Sequence, residues 1–196
     1  LLEEKYLQKA TNLISSEYGQ QKLWGMKDPR VSMLLPFWMK VLEQQNIEAH
    51  YLFIIRNPIE VLASLTKRDK FHKNKSLMLW LNYNFSCFLH TYETKNRLII
   101  SFQDLIKNTN GCTQNIIAKF NLPIKANDKD SFVDSSLKNH TNSTTEFTFL
   151  EQLSLNLYTA ILANNIVEVK NLESEYLEYL NKLDTALIDH IRTIKK

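Results

Sequence analysis

The stretch of the chain that decides its fold class is Tyr51-Leu52-Phe53-Ile54-Ile55-Arg56-Asn57-Pro58. Its first five residues form a continuous run of aromatic, aliphatic and β-branched side chains, which is typical of a strand covered on both faces in a parallel sheet. Asn57 then suits the N-cap of a helix, Pro58 suits the first helical position, and Glu60 stands where it can complete a capping box. We therefore predict a strand over 51–55 and a helix over Pro58–Asp69.

Segments on both sides of this stretch repeat the alternation of strand and helix. Short apolar runs at 22–26 and 97–102 predict two further strands. Apolar residues at helical spacing predict helices over 2–16, 32–46 (with Ser32 as a possible cap), 77–92, 104–107, 112–120, 150–169 and 172–194. Strands that alternate with helices favour an α/β fold with a three-layer parallel sheet flanked by helices.

The sequence also suggests how the chain is divided. We expect an α/β core over 1–124, a polar loop over 125–148, and a helical segment over 149–196 that packs on the core. The chain begins Leu1-Leu2-Glu3-Glu4 with no signal-peptide pattern, so we expect it to be a piece of a longer protein.

Glycine is scarce, with Gly19, Gly25 and Gly111 the only three in 196 residues, where average usage gives about 14. No two of them have the spacing of a phosphate-binding loop, so the chain contains neither a P-loop nor a dinucleotide fingerprint. The net charge of +3 is too small to argue for a nucleic-acid partner but is compatible with a small anionic ligand.

Two further totals bear on location. Cys87 and Cys112 fit no disulfide or metal-binding pattern, so we expect a reducing compartment, the cytoplasm, and no metal. No apolar run reaches 18 residues, so we expect no membrane span.

The first candidate site is the junction after the strand over 51–55. Ligands of open parallel sheets bind beyond the carboxyl ends of the strands, where Arg56 stands, and a helix N-terminus favours an anion. Ser64 follows two turns along the helix and could donate its hydroxyl to the same anion. The alternative is an exposed arginine and a solvated serine, and the spacing alone favours it.

The second candidate site is Lys27-Asp28-Pro29-Arg30, directly after the predicted strand over 22–26. If this strand neighbours the strand over 51–55, Lys27 faces the same crevice as Arg56. Two cations there would suit an anionic donor whose leaving group gains charge. The alternative is a basic turn in which Arg30 pairs with Asp28.

Taken in order, these segments resemble the sulfotransferase family that uses 3′-phosphoadenosine 5′-phosphosulfate (PAPS), in particular its bacterial and Golgi carbohydrate sulfotransferases. The resemblance covers roughly residues 22–140. It is strongest from Phe53 to Ser64 and is supported by Trp24-Gly25-Met26-Lys27-Asp28-Pro29-Arg30 and by Ile99-Ile100-Ser101-Phe102-Gln103-Asp104-Leu105.

The resemblance implies a P-loop-NTPase-like core, PAPS as co-substrate without a metal, and a hydroxyl-bearing acceptor, most simply a sugar. Arg56 and Ser64 would bind the 3′-phosphate, and Lys27 would contact the transferring sulfuryl group. Asp28 and Arg30 are weaker candidates, for positioning the acceptor or for acting as a base. Lys138 and His140 resemble a basic stretch near the nucleotide. The family's glycine-rich donor loop is absent, which implies that this chain holds half of the donor site.

Two other functions remain open from the residues alone. One is a nucleotide-dependent, kinase-like protein with the same α/β core. The other is a non-catalytic α/β interaction module in which Lys27 and Arg56 are surface charges.

Overall fold

A computed structural model describes residues 2–124 and 147–194 of the chain, with side chains up to Thr185. These residues form a mostly helical α/β structure with two parallel strands. The elements are, in chain order, α1 (Leu2–Tyr18), α2 (Pro29–Met33), α3 (Leu35–Gln44), β1 (Tyr51–Ile55), α4 (Pro58–Asp69), α5 (Lys73–Thr91), β2 (Arg97–Ser101), α6 (Phe102–Lys107), α7 (Thr109–Phe120), α8 (Phe149–Leu162) and α9 (Ile166–Ile194).

The two strands form a two-stranded sheet, in which the N–H of Tyr51 donates to the carbonyl of Asn96 at the entry to β2. The prediction that β1 is covered on both faces is wrong for the described residues. Phe53 and Ile55 are buried, but Leu52 and Ile54, which alternate with them, are 41% and 44% exposed. Because side chains alternate across a strand, the face of β1 that bears Leu52 and Ile54 is only partly covered by the described residues.

The predicted strand over 22–26 is also wrong, because this segment is irregular in the structure. A strand needs a hydrogen-bonding neighbour, and the described sheet contains only β1 and β2. Instead, the Trp24 ring stacks on the Tyr18 ring, with 4.4 Å between the ring centres. The segment is therefore held by side-chain packing and not by hydrogen bonds to a neighbouring strand.

The described residues divide into two compact units. The first comprises 2–54, 82–100 and 104–124, and the second comprises 55–81, 101–103 and 147–194. In the first unit α1 packs against α3, and Leu7, Ala10 and Ile14 of α1 are buried with Val41 of α3. The spacing of three and four residues along α1 gives the single apolar stripe that this packing requires.

In the second unit α8 packs against both α4 and α9. Leu150, Leu153, Leu157 and Ile161 are buried along α8, again three or four residues apart. Burial of each such side chain contributes about 1.5–3 kcal/mol. These side chains therefore hold α8 in place, and α8 bears one of the polar groups described below.

Asparagine ends three helices in the left-handed conformation that glycine usually supplies. Asn46, Asn121 and Asn164 follow α3, α7 and α8 with φ of 54°, 48° and 52°, and none of the described glycines has positive φ. Asparagine tolerates this conformation better than most residues. The scarcity of glycine therefore does not prevent the chain from ending its helices sharply.

These endings also correct two predicted boundaries. The C-terminal helices break at Asn164, because Asn165 Oδ1 caps α9 by accepting from the N–H of Glu168, and not at 169–172 as predicted. Ser32 lies within α2 and does not cap α3, whose N-cap is Leu34.

Candidate functional site

The junction between β1 and α4 has the local structure that its residues predict. Asn57 is the N-cap of α4, and its Oδ1 accepts from the N–H of Ile59 at 2.9 Å. Pro58 occupies the first helical position, where its missing N–H costs nothing and its fixed φ suits the helix. Arg56 is therefore held between a strand end and a capped helix N-terminus.

The predicted capping box at this junction is wrong. Glu60 does not return to the backbone of Asn57, because both of its carboxylate oxygens are bound elsewhere. Oε2 accepts from Arg56 Nε at 3.0 Å, and Oε1 accepts from Gln103 Nε2 at 2.9 Å. Glu60 thus binds the side chains of Arg56 and Gln103, and Asn57 provides the side-chain cap of α4.

The Arg56 side chain is fixed on two sides. Its Nε is bound to Glu60, and its guanidinium carbon lies 4.6 Å from the centre of the Phe102 ring, over which the cation stacks. The backbone is held as well, because Trp80 Nε1 donates to the carbonyl of Arg56 at 3.1 Å. Trp80 is buried, as expected for a core residue.

A chain of side-chain hydrogen bonds extends from this arginine to α8. Gln103 donates from Nε2 to Glu60, and its Oε1 accepts from the hydroxyl of Tyr158 at 2.8 Å. The chain therefore runs Tyr158–Gln103–Glu60–Arg56, and all four residues belong to the second unit. We call these four residues the Arg56 network.

Ser64 lies on α4 one turn after Glu60, so the two residues share a face of the helix. Its side chain is half-buried, and within 2–124 and 147–194 no hydrogen bond involves its hydroxyl. A phosphate bound by Arg56 and Ser64, as the resemblance implies, would thus have the Glu60 carboxylate as a neighbour.

The second candidate site lies in the first unit. Lys27 is exposed and follows the irregular segment 22–26, so it does not stand at the end of a strand as predicted. Asp28 is the N-cap of α2, and its Oδ1 accepts from the N–H of Arg30 at 2.8 Å. The same carboxylate binds the Arg30 guanidinium through two bonds of 3.0 and 2.7 Å.

This bidentate pair is the arrangement that the alternative interpretation of the sequence describes. The side-chain and backbone hydrogen bonds from Arg30 lower the pKa of Asp28 to about 2, and Asp28 in turn raises the pKa of Arg30. A carboxylate with so low a pKa is a poor proton acceptor near neutral pH. The geometry therefore argues against Asp28 as a catalytic base in this conformation.

Comparisons with known protein families, curated proteins and solved structures find no match for this chain.

A cleft of about 930 Å³ also lies within the first unit. It is bordered by the irregular segment, by the residues leading into β1 and by the end of α7, and none of the predicted site residues that the structure describes lines it. Gln45 is part of its lining, and Gln45 Nε2 is buried without a hydrogen-bond partner among the described residues. This cleft and the predicted site residues of the described chain thus do not coincide.

Three further expectations concern the polar loop, metal binding and membrane spans. Lys138 and His140, and the polar loop over 125–148 except for its last two residues, lie outside the described residues. Within the described part of the chain, no group of acidic, histidine and cysteine side chains could hold a metal ion. No described helix is long and apolar enough to cross a membrane.

The sequence interpretation missed most of the Arg56 network. The sequence alone contains one signal for this network, because a separation of four residues, as between Arg56 and Glu60, favours an ion pair at a helix. No such signal exists for Gln103 or Tyr158, because each lies more than 40 residues from the next member of the network.

Proposed function

We propose that this chain is a PAPS-dependent sulfotransferase, or a part of one, that transfers a sulfuryl group to a carbohydrate hydroxyl. In this reaction the bond between sulfur and the bridging oxygen of PAPS breaks, and the acceptor oxygen bonds to sulfur. The acceptor loses its proton to a base, and adenosine 3′,5′-bisphosphate leaves. No metal is required, because cationic side chains can stabilise the charge that develops.

The observation that carries this proposal is the junction of β1 and α4. A guanidinium at the end of a parallel strand, next to a capped helix N-terminus, is an arrangement suited to a phosphate. In the proposal Arg56 and Ser64 bind the 3′-phosphate, and that contact distinguishes PAPS from nucleotides that lack it. Lys27 contacts the sulfuryl group and stabilises the leaving oxygen.

We further propose that β1 and β2 are part of a larger, three-layer parallel sheet of the P-loop-NTPase type. The exposed face of β1, with Leu52 and Ile54, supports this proposal. Parallel sheets normally bury both faces, and a sheet of only two strands with an exposed apolar face is expected to be marginally stable. The irregular segment 22–26 and Tyr51, the first residue of β1, line the same cleft, which is where we propose that a further element joins.

Calorimetry with adenosine 3′,5′-bisphosphate tests the donor site. We expect the chain to bind this ligand, and Arg56→Ala to weaken binding about tenfold or more, because a charge-assisted hydrogen bond is lost. Arg68→Ala is the matched control, since Arg68 lies on the same helix, is exposed and pairs only with its neighbour Asp69 in the described structure. Adenosine 5′-monophosphate, which lacks the 3′-phosphate, should bind equally to both variants.

Other results would contradict the proposal. Failure to bind the bisphosphate, or equal affinity after Arg56→Ala, would leave a non-catalytic interaction module as the better function. The Arg56–Glu60 ion pair is the observation that favours this second candidate, because it gives the arginine a structural partner. Tighter binding of ATP than of the bisphosphate would instead favour a kinase-like protein.

A further inference from the structure

The Arg56 network has a direction that follows from the chemistry of its members. Because the ionised Glu60 carboxylate only accepts hydrogen bonds, the amide nitrogen of Gln103 must face it, and the amide oxygen is left to accept from the Tyr158 hydroxyl. The amide nitrogen then faces Glu60 and donates to Oε1. An ionised carboxylate only accepts hydrogen bonds, so Glu60 receives one from Gln103 and one from Arg56.

We propose that Tyr158 and Gln103 are positioning residues that fix the orientation of the Arg56 guanidinium through Glu60. The inference rests on the proposed function, because it takes Arg56 as the residue that binds the phosphate of the ligand. None of the other three residues needs to contact that ligand. They determine which edge of the guanidinium is presented to it.

The geometry defines that edge. Glu60 occupies Nε, and Phe102 covers one face of the guanidinium at 4.6 Å. In the proposal, an anion that keeps the Glu60 bond intact is bound through the terminal Nη atoms and not through Nε. Two parallel N–H···O bonds from these atoms match the oxygens of a phosphate. If Glu60 were displaced, the bond that fixes Nε would be lost, and with it this contribution to the orientation of the guanidinium.

The inference also gives α8 a role at the site. Tyr158 projects from α8, whose buried apolar residues anchor it in the second unit, and α8 packs against α4, which bears Glu60. A hydrogen-bonding side chain on a helix that is anchored by buried residues keeps its orientation better than one on a loop.

The test removes a single hydroxyl. In Tyr158→Phe the Nε–H signal of Arg56, observed by ¹⁵N NMR of the full chain, should exchange with solvent about threefold faster or more. Affinity for adenosine 3′,5′-bisphosphate should fall about three- to tenfold, since one link of a coupled network is lost. Gln103→Leu breaks the network one step nearer to Arg56 and should give at least the same loss.

Tyr179→Phe is the matched control. Tyr179 lies on α9 in the same unit and stacks on Phe149, and its hydroxyl makes no hydrogen bond in the described residues. Its loss should change neither the Arg56 signal nor the affinity. In the Arg56→Ala background, Tyr158→Phe should have no further effect on binding, which a general loss of folding stability would not produce.

The outcomes separate the two proposals. An unchanged Arg56 signal and unchanged affinity in both Tyr158→Phe and Gln103→Leu would overturn the positioning role and leave the donor site intact. If the unmodified chain does not bind the bisphosphate, the proposed function fails. The NMR measurement, which needs no ligand, then still decides whether Tyr158 orients Arg56.

Discussion

Arg56 Nε donates to Glu60 Oε2 at 3.0 Å, and the two side chains are only 22% and 19% exposed. The pair is thus removed from most of the solvent that weakens exposed ion pairs. Loss of Arg56 would leave the Glu60 carboxylate partly buried without this counter-charge, and that is more costly than the pair itself is stabilising. The ion pair therefore helps to hold the arginine in place at this junction.

The first prediction concerns this pair. Glu60→Ala should lower the free energy of unfolding by about 1–3 kcal/mol, because Arg56 and Gln103 both lose their acceptor. Urea denaturation measures the change. Glu175→Ala is the control, because Glu175 is exposed on α9 and makes no ion pair in the described structure, and it should change stability by less than about 0.5 kcal/mol. An equal effect of the two substitutions would contradict the prediction.

The second prediction concerns the start of α4. Asn57→Ala removes the oxygen that accepts from the N–H of Ile59 and should cost about 1 kcal/mol. Asn57→Asp keeps an acceptor and adds a negative charge at the helix N-terminus, so it should retain stability. The same Asp should weaken binding of an anion at this terminus. Thermal unfolding and calorimetry together test the two effects, and loss of stability in Asn57→Asp would contradict the capping role.

The third prediction is a dependence of stability on pH through Glu151 of α8. Burial acts to raise the pKa of Glu151, but hydrogen bonds from Lys73 Nζ and from Thr148 outweigh it, so the pKa lies below its ordinary value of 4.5. A group whose pKa is lower in the folded than in the unfolded state stabilises the fold above the unfolded pKa. This contribution is lost as the pH falls through the folded pKa.

Accordingly, Glu151→Gln should destabilise the chain at pH 7 and much less near pH 3. Urea denaturation at both pH values measures the difference between variant and unmodified chain. Glu175→Gln should show no such dependence. A stability difference for Glu151→Gln that stays constant from pH 7 to pH 3 would mean that the carboxylate charge is not what holds Lys73 and Thr148.

The fourth prediction concerns the Asp28–Arg30 pair. In a ¹³C NMR titration the Asp28 carboxyl should have a midpoint of about 2, because Arg30 stabilises its ionised form. Arg30→Gln should move the midpoint up towards the ordinary value of 3.8. Arg68→Gln removes a comparable Arg–Asp contact elsewhere and should leave Asp28 unchanged. A midpoint near 3.8 in the unmodified chain would show that the pair does not persist in solution.

Much of the fold follows from local sequence signals. The parts that do not follow from them share one cause, which is that they depend on residues outside the local segment. The bounds of α4 are those predicted, because its cap and its proline act over two or three residues. The segment 22–26 has the composition of a strand but remains irregular, because a strand also needs a neighbour that composition does not supply. The break between α8 and α9 depends on Asn164 and Asn165. The sequence does not reveal this turn, because the apolar residues on both sides continue at helical spacing across it.

The sequence by itself determined the α/β class, the β1–α4 junction and the position of Arg56 at the end of a strand. The four-residue separation of Arg56 and Glu60 is a local signal for their ion pair. Only the tertiary structure decided that Gln103 and Tyr158 complete the network and that Lys27 follows an irregular segment. Caps, turns and helical stripes are encoded within a few residues, because their hydrogen bonds and packing are local. The contacts of Glu60 with Gln103 and of Gln103 with Tyr158 depend instead on which distant side chains the packed core brings together, and no local pattern records that choice.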